Sequence, residues 1–226
     1  MTRFVSLVLL PLGLAAIGVV LIWTFYLAAT GEAGARLADL ALARVPETGV
    51  SNPVTSVLLN YRAYDTLLEL AVLLAALLGI WSLGPAAPGF QRGGEILQGM
   101  VDWFVPLLIL AAGYMLWVGA YAPGGAFQAG ALLGSAGVML ALAGYPSAGL
   151  PSERLLRLLS ILGILAFCLV GLVLMVLGLG FLTYPPELAK WLILLIETGA
   201  TLAIGVTLAA AYLGGRPDHT SEVDAP

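Results

Sequence analysis

The sequence predicts an all-α, polytopic integral membrane protein of about six transmembrane helices. Of 226 residues, 61% are apolar and only 10% are Asp, Glu, Lys or Arg, against about 45–50% and about 25% in soluble domains. The mean hydropathy is +1.03. Uninterrupted apolar runs of roughly 20 residues, the length that crosses a bilayer as a helix, take up most of the chain. The net charge of −4 and the pI near 4.8 argue against nucleic acid, whose binding needs a basic surface. Cys168 is the one cysteine and lies inside an apolar run. It reads as a small packing residue, and neither an internal disulfide nor a cysteine-based metal cluster can form. No cofactor and no metal site are expected.

The first span runs over 4–29, behind Met1-Thr2-Arg3. It begins like a signal peptide but is too long and lacks a convincing cleavage site. Residues 30–53 form the longest polar connection, with Glu32, Arg36, Asp39, Arg44 and Glu47. Leu37, Leu40, Ala41 and Val45 recur there at helical spacing, which predicts a short amphipathic helix on the membrane surface. Asn52-Pro53 is a helix start, a capping Asn with Pro at the first helical position. Asp65-Thr66 reads as a second cap, so the second span is expected broken, 53–62 and then 65–83. Pro85, Pro88, Gly89, Gly93 and Gly94 make the loop that ends it. Four further spans follow, over 100–121, 126–145, 155–182 and 188–213. Asp102 opens the third span, where the helix dipole favours a carboxylate cap.

Six spans return the chain to the side on which it began. Arg3, Arg92, Arg154, Arg157 and Arg216 then face Arg36, Arg44, Arg62 and Lys190, which favours cytoplasmic termini. Gly130 and Gly134 are spaced for close helix approach, and Gly13, Gly18, Gly171, Gly178 and Gly205 also sit in spans. Spacing alone leaves open whether they pack on partners or within the chain.

Ionisable groups inside a bilayer cost about 2.5–3.5 kcal/mol each on insertion scales, so those that persist are candidates for function. Asp65 and Glu69 stand four apart and would share a helix face about 6 Å apart. Such a pair can hold a proton, because repulsion and desolvation both favour the protonated form. An Arg62–Asp65 clamp across the helix break is the structural alternative. Glu197 lies about 13 Å into the last span, with no basic residue of this chain at comparable depth. A neighbouring subunit, an aqueous cavity, hydrogen bonding between helices or a bound proton must satisfy it. The run 119–130, with Pro123-Gly124-Gly125, predicts a tight re-entry between helices that frees backbone amides and carbonyls. It lacks the lysine and spacing of a phosphate loop. His219, in an acidic tail, reads as solvated. No Ser-His-Asp set and no HExxH are present, and the chain is not expected to be an enzyme.

The segment 52–69, with Asn52-Pro53-Val54-Thr55, Tyr61-Arg62, Asp65-Thr66-Leu67 and Glu69, resembles the MbhE-like part of Mrp-type cation/proton antiporters. The segment 96–144, with Pro106-Leu107-Leu108, Gly113-Tyr114 and Pro123-Gly124-Gly125-Ala126-Phe127-Gln128, resembles their B subunit (MnhB/MrpB). The sequence departs from the pattern at Ala120, where the family commonly has His, at Ala126 and Ala129, which replace glycines, and at Asn60, where Asp is frequent. No role of that His carries over. Arg62, Asp65 and Glu69 match.

The resemblance implies a two-helix MbhE-like region over 1–84 with its surface loop, a linker over 85–95, a four-helix MnhB-like module over 96–214 and a polar tail over 215–226. It further implies an accessory subunit of a multisubunit Na+/H+ antiporter in the bacterial or archaeal inner membrane, with other membrane subunits as partners. The ion or proton path would pass Glu69, Asp65 and Glu197, Arg62 would be an ion-pair partner, and Pro123, Gly124, Gly125 and Phe127 would form a structural turn. Related complexes that carry similar modules are ion-translocating hydrogenases or oxidoreductases and gradient-driven bicarbonate uptake systems.

Overall fold

The computed structural model describes residues 10–31, 36–83, 94–145 and 150–213. Arg3, Glu32, Arg92 and Arg216, the loop residues Pro85, Pro88, Gly89 and Gly93, and His219 with the polar tail lie outside the described residues. Every regular element among the described residues is helical: α1 (Leu10–Thr30), α2 (Leu37–Ala43), a 3-10 turn (Val45–Thr48), α3 (Pro53–Ser56) running into a π-helical segment (Val57–Tyr61), α4 (Ala63–Ser82), α5 (Glu95–Val118), α6 (Ala126–Leu142), α7 (Glu153–Val176) and α8 (Pro186–Leu213). Five of them, α1, α4, α5, α7 and α8, are long and apolar enough to cross a membrane, while α6 has 17 residues. The chain divides into two units, residues 1–40 and 41–226.

The first unit holds α1, whose 21 residues carry no charged side chain. A helix that is apolar all round belongs in lipid or in the middle of an assembly. The polar connection carries a short helix, α2, seven residues long, with Arg36 and Asp39 paired at 3.5 Å at its start.

In the second unit α8 is the hub. It packs chiefly against α6 and α7 and also touches α4 and α5, while α5 lies against α6 and α4 against α7. Small residues make this possible. Ala189, Gly199, Ala200, Ala203, Gly205, Ala209 and Ala210 are all buried along α8, so neighbouring backbones approach closely. Larger apolar side chains, Phe167 on α7 with Ile193, Ile196 and Ile204 on α8, fill the main core.

Gly130 and Gly134 both face α8, which assigns their small size to packing within the chain. A Cβ on Gly130 would stand 2.6 Å from Ile204 Cβ and 3.1 Å from the Thr201 carbonyl oxygen. Gly130→Val is therefore expected to push α6 off α8 and destabilise the bundle by about 1–3 kcal/mol or more, read as a lower midpoint of thermal unfolding in detergent. Gly130→Ala should lie between the two.

Several expected boundaries move, each for a local reason. The span expected to reach Leu182 stops at Val176, because Gly178 takes a left-handed conformation (φ 81°) and the Leu179 N–H turns back to the Leu174 carbonyl at 3.0 Å. That closes the helix with a glycine cap. A similar left-handed glycine, Gly144 (φ 80°), follows the end of α6 at Leu142, short of the expected Tyr145.

The third span begins at Glu95 rather than 100, which corrects the reading of Asp102. It is not a cap but sits two turns inside α5, where it accepts a 2.8 Å hydrogen bond from the Tyr145 hydroxyl. That bond, with burial and the nearby charge of Asp102, raises the Tyr145 phenol above its ordinary value. With Gln98 donating to the Ala143 carbonyl at 3.2 Å, it fastens the start of α5 to the end of α6.

The second span is broken as expected, and Asn52 caps its first half, accepting from the Val54 N–H at 3.1 Å. The break is a π turn: the Arg62 N–H donates to the Val57 carbonyl at 2.8 Å, and the Thr66 hydroxyl takes the Leu58 carbonyl at 2.8 Å. Asp65 is not the cap of the second half. Arg62 holds that position without a side-chain bond, and Asp65 pairs with Arg62 on the helix surface.

Candidate functional site

The second unit holds a partly open cavity of about 230 Å³ between the broken helix, the α5–α6 turn and α8, with Thr55, Thr66, Gln128 and Glu197 supplying its polar lining. Each polar wall follows from a local break in a helix. At the C-terminal end of α5 the carbonyls of Gly119, Ala120 and Ala122 are freed by the turn, as carbonyls at a helix end must be. The Asn52 segment takes all three. Asn52 Nδ2 donates to Gly119 O and Ala122 O at 2.8 Å each, Thr55 Oγ1 donates to Gly119 O at 2.5 Å, and the Ser51 and Asn52 N–H groups donate to Ala120 O at 3.1 Å each. Asn52 is 3% exposed, so one side chain caps α3 and closes the α5–α6 turn.

Pro123-Gly124-Gly125 then reverses the chain into α6. The Gly125 N–H donates to Met115 O at 2.8 Å, and Gly125 has φ 109°, a conformation that side chains other than hydrogen resist. The bare face of Gly125 meets Glu197: a Cβ there would lie 2.7 Å from Glu197 Oε1 and 4.0 Å from Gln128 Oε1. Phe127, two residues on, also lines the cavity.

Glu197 is 4% exposed. The Ala126 N–H, one of the unpaired amides at the start of α6, hydrogen-bonds its carboxylate. Oε2 has no protein partner, and neither does Thr201 Oγ1 one turn further along α8. Buried polar atoms in that state are satisfied by water, by a bound ion or by protonation.

The expected ionisable residues divide into two places. Glu197 lies in the cavity. Glu69 does not line it and sits exposed on the outer surface of α4, one turn beyond Asp65, which pairs with Arg62. The structure thus does not bring Glu69 and Glu197 to one cavity.

Lys190, two turns before Glu197 on the same face of α8, has its Nζ 4.9 Å from the Tyr121 and Trp191 ring centres and 5.3 Å from that of Trp117. Cation–π contacts hold it there, roughly 10 Å along the helix from the carboxylate. Tyr184, in the loop before α8, is buried with its hydroxyl unpartnered, and burial pushes that phenol up.

Thr55, Thr66 and Gln128 stand in the quoted motifs, but nothing in the sequence marked them as lining one cavity with Glu197. The nearest signal was the expected break in the second span, which places polar residues beside it; the closing role of Asn52 shows only when α3 meets the α5–α6 turn.

This architecture defines a multi-pass helical membrane protein built round a broken helix, a glycine turn and a buried carboxylate. The chain belongs to the family of domains related to the MnhB subunit of Na+/H+ antiporters, whose family model matches residues 96–215, more than half of it. No curated protein matches it. Among solved structures it is similar to a chain of the Mrp complex from Dietzia sp. DQ12-45-1b, with TM-score 0.65 and 24% identity over 98% of this chain and 27% of that one. It is also similar to a chain of the membrane-bound sulfane sulfur reductase, an archaeal respiratory membrane complex, with TM-score 0.67 and 24% identity over 92% of this chain and 97% of the other. At that identity the likeness is one of fold. The chain spans about a quarter of the length of the Mrp chain that it matches.

Proposed function

We propose that this protein is an accessory, non-catalytic membrane subunit of a Mrp-type multisubunit sodium/proton antiporter, supplying a packing surface and a section of the proton or ion path. The observation that carries the reading is the MnhB-related match over residues 96–215. The site adds physical support, since a carboxylate kept inside a span and lining a cavity is what proton handling in a bilayer requires.

In this reading Glu197 is the titrating station, and Glu69, exposed on α4, is satisfied by a neighbouring subunit, because lipid would not tolerate it. The Arg62–Asp65 pair flanks the helix break outside the cavity. Residues 1–84 form the MbhE-like region, 85–95 the linker, 96–214 the MnhB-like module and 215–226 the tail. The complex sits in the bacterial or archaeal inner membrane, with the termini of this chain cytoplasmic.

Purification of the tagged chain from native membranes in mild detergent is expected to bring down the other antiporter subunits, and vesicles holding the complex to acidify or alkalise on a sodium jump. The likeness to the sulfane sulfur reductase chain favours a second reading, a membrane subunit of an ion-translocating oxidoreductase. Iron–sulfur or nickel subunits in the same pull-down would select it and overturn the first.

A further inference from the structure

The cavity has the composition of an ion site rather than of a passive void. Glu197 Oε2 is buried without a partner. Glu197 Oε1 packs against the bare face of Gly125, 2.7 Å from where a Cβ would stand, and Gln128 Oε1 lies 4.0 Å from the same point, so both side chains bring an oxygen to one side of the cavity. The hydroxyls of Thr55 and Thr66 line the same cavity; each donates its proton to a main-chain carbonyl, Gly119 O and Leu58 O, and Thr55 Oγ1 also accepts from Asn52 Nδ2 at 3.0 Å, which leaves it one lone pair. A hydroxyl that has donated its proton offers oxygen lone pairs to whatever else adjoins it. Apart from the Ala126 N–H at the carboxylate, these side chains present oxygen acceptors, the ligand type of hard cations.

Charge decides the valence. Of the side chains lining the cavity, from the broken helix, α4, the α5–α6 turn, α6, α7 and α8, Glu197 is the one that ionises. Asp65 is paired with Arg62 outside it, and Lys190 is held among aromatic rings two turns away. An isolated charge in an apolar surround is costly. One proton or one monovalent cation neutralises Glu197, whereas a divalent ion would leave an excess charge.

We propose that this cavity binds a partly dehydrated monovalent cation on the Glu197 carboxylate, in one-for-one exchange for the proton that otherwise occupies it. The carboxylic acid loses H+ as the cation arrives, and the carboxylate recovers it as the cation leaves, so the site's net charge does not change. The proposal rests on the antiporter reading above for its setting and deepens it by naming the site at which the two ions compete.

The test is infrared difference spectroscopy of the purified complex while sodium, potassium or choline chloride is washed over it at fixed pH. Sodium or potassium is expected to remove the C=O band of one protonated carboxylic acid and release one proton per cation bound, with choline inert. One-for-one competition makes the half-saturating concentration rise about tenfold for each pH unit lowered. The band should be missing in Glu197→Gln. Gly125→Ala, whose Cβ would push the Glu197 carboxylate from its seat, should raise the half-saturating concentration at least about tenfold, and Gln128→Leu, which leaves the turn intact, should raise it less.

A band that no cation moves, that choline moves equally, or that survives in Glu197→Gln overturns the proposal. Sodium/proton exchange by a complex whose band stays still sinks the site and leaves the function. A moving band in a complex without antiporter subunits does the reverse.

Discussion

Replacing Glu197 by Gln is expected to bring sodium/proton exchange by the intact complex below about one-tenth of its normal rate while leaving the complex assembled, because no other group in the cavity can titrate. Gln is nearly isosteric with Glu. Its carbonyl oxygen can still accept from the Ala126 N–H, and its amide fits the space that holds Oε2. What it cannot do is release a proton or balance a cation. Glu197→Asp, one methylene shorter, should keep part of the activity, because the carboxylate is retained but withdrawn from the Ala126 amide. The measurement is fluorescence quenching of a pH dye in inverted vesicles, with size-exclusion chromatography of the same preparation as the control for assembly. Full exchange in Glu197→Gln would reduce the carboxylate to a structural hydrogen-bond acceptor.

The largest stability effect is expected at Asn52. Asn52→Leu removes the donor to the Ala122 carbonyl, one of two donors to the Gly119 carbonyl and the acceptor for the Val54 N–H. Two part-buried main-chain groups lose this partner, each near the low end of the about 1–3 kcal/mol that an unsatisfied buried group costs, so a loss of about 2–3 kcal/mol follows. Asn52→Ser separates the two duties of the residue. Serine caps a helix as well as asparagine but is too short to reach the α5–α6 turn, so it should restore the cap and little else. The thermal midpoint of the purified complex should fall in the order native, Asn52→Ser, Asn52→Leu. Equal midpoints for native and Ser would show that the bridge to the turn carries no weight.

Membrane residence and the all-helical fold were legible because they rest on composition and run length alone, and burial in lipid needs no knowledge of the neighbours. The broken second helix was legible too. Asn52-Pro53 and the polar stretch around Arg62 are local signals, and the structure breaks where they stand. Cap assignments did worse. Asp65 and Asp102 both occur where an acidic residue can open a helix, yet each helix begins earlier, and their carboxylates are taken by Arg62 and Tyr145. A capping residue and an acid within the first turns of a helix look alike until the partner is seen.

By itself the sequence determined the number and approximate extent of the apolar helices, the glycine turn between α5 and α6, and the presence of an acid too deep in a span to be incidental. Tertiary structure decided that Glu197 meets the bare face of Gly125 while Glu69 looks outward, that Asn52 closes a turn nearly 70 residues away in the chain, and that Gly130 and Gly134 serve α8 rather than another subunit. The division has one physical reason. Transfer to lipid is a property of a segment and adds residue by residue, but whether two polar atoms satisfy each other depends on packing between segments, which no local pattern records.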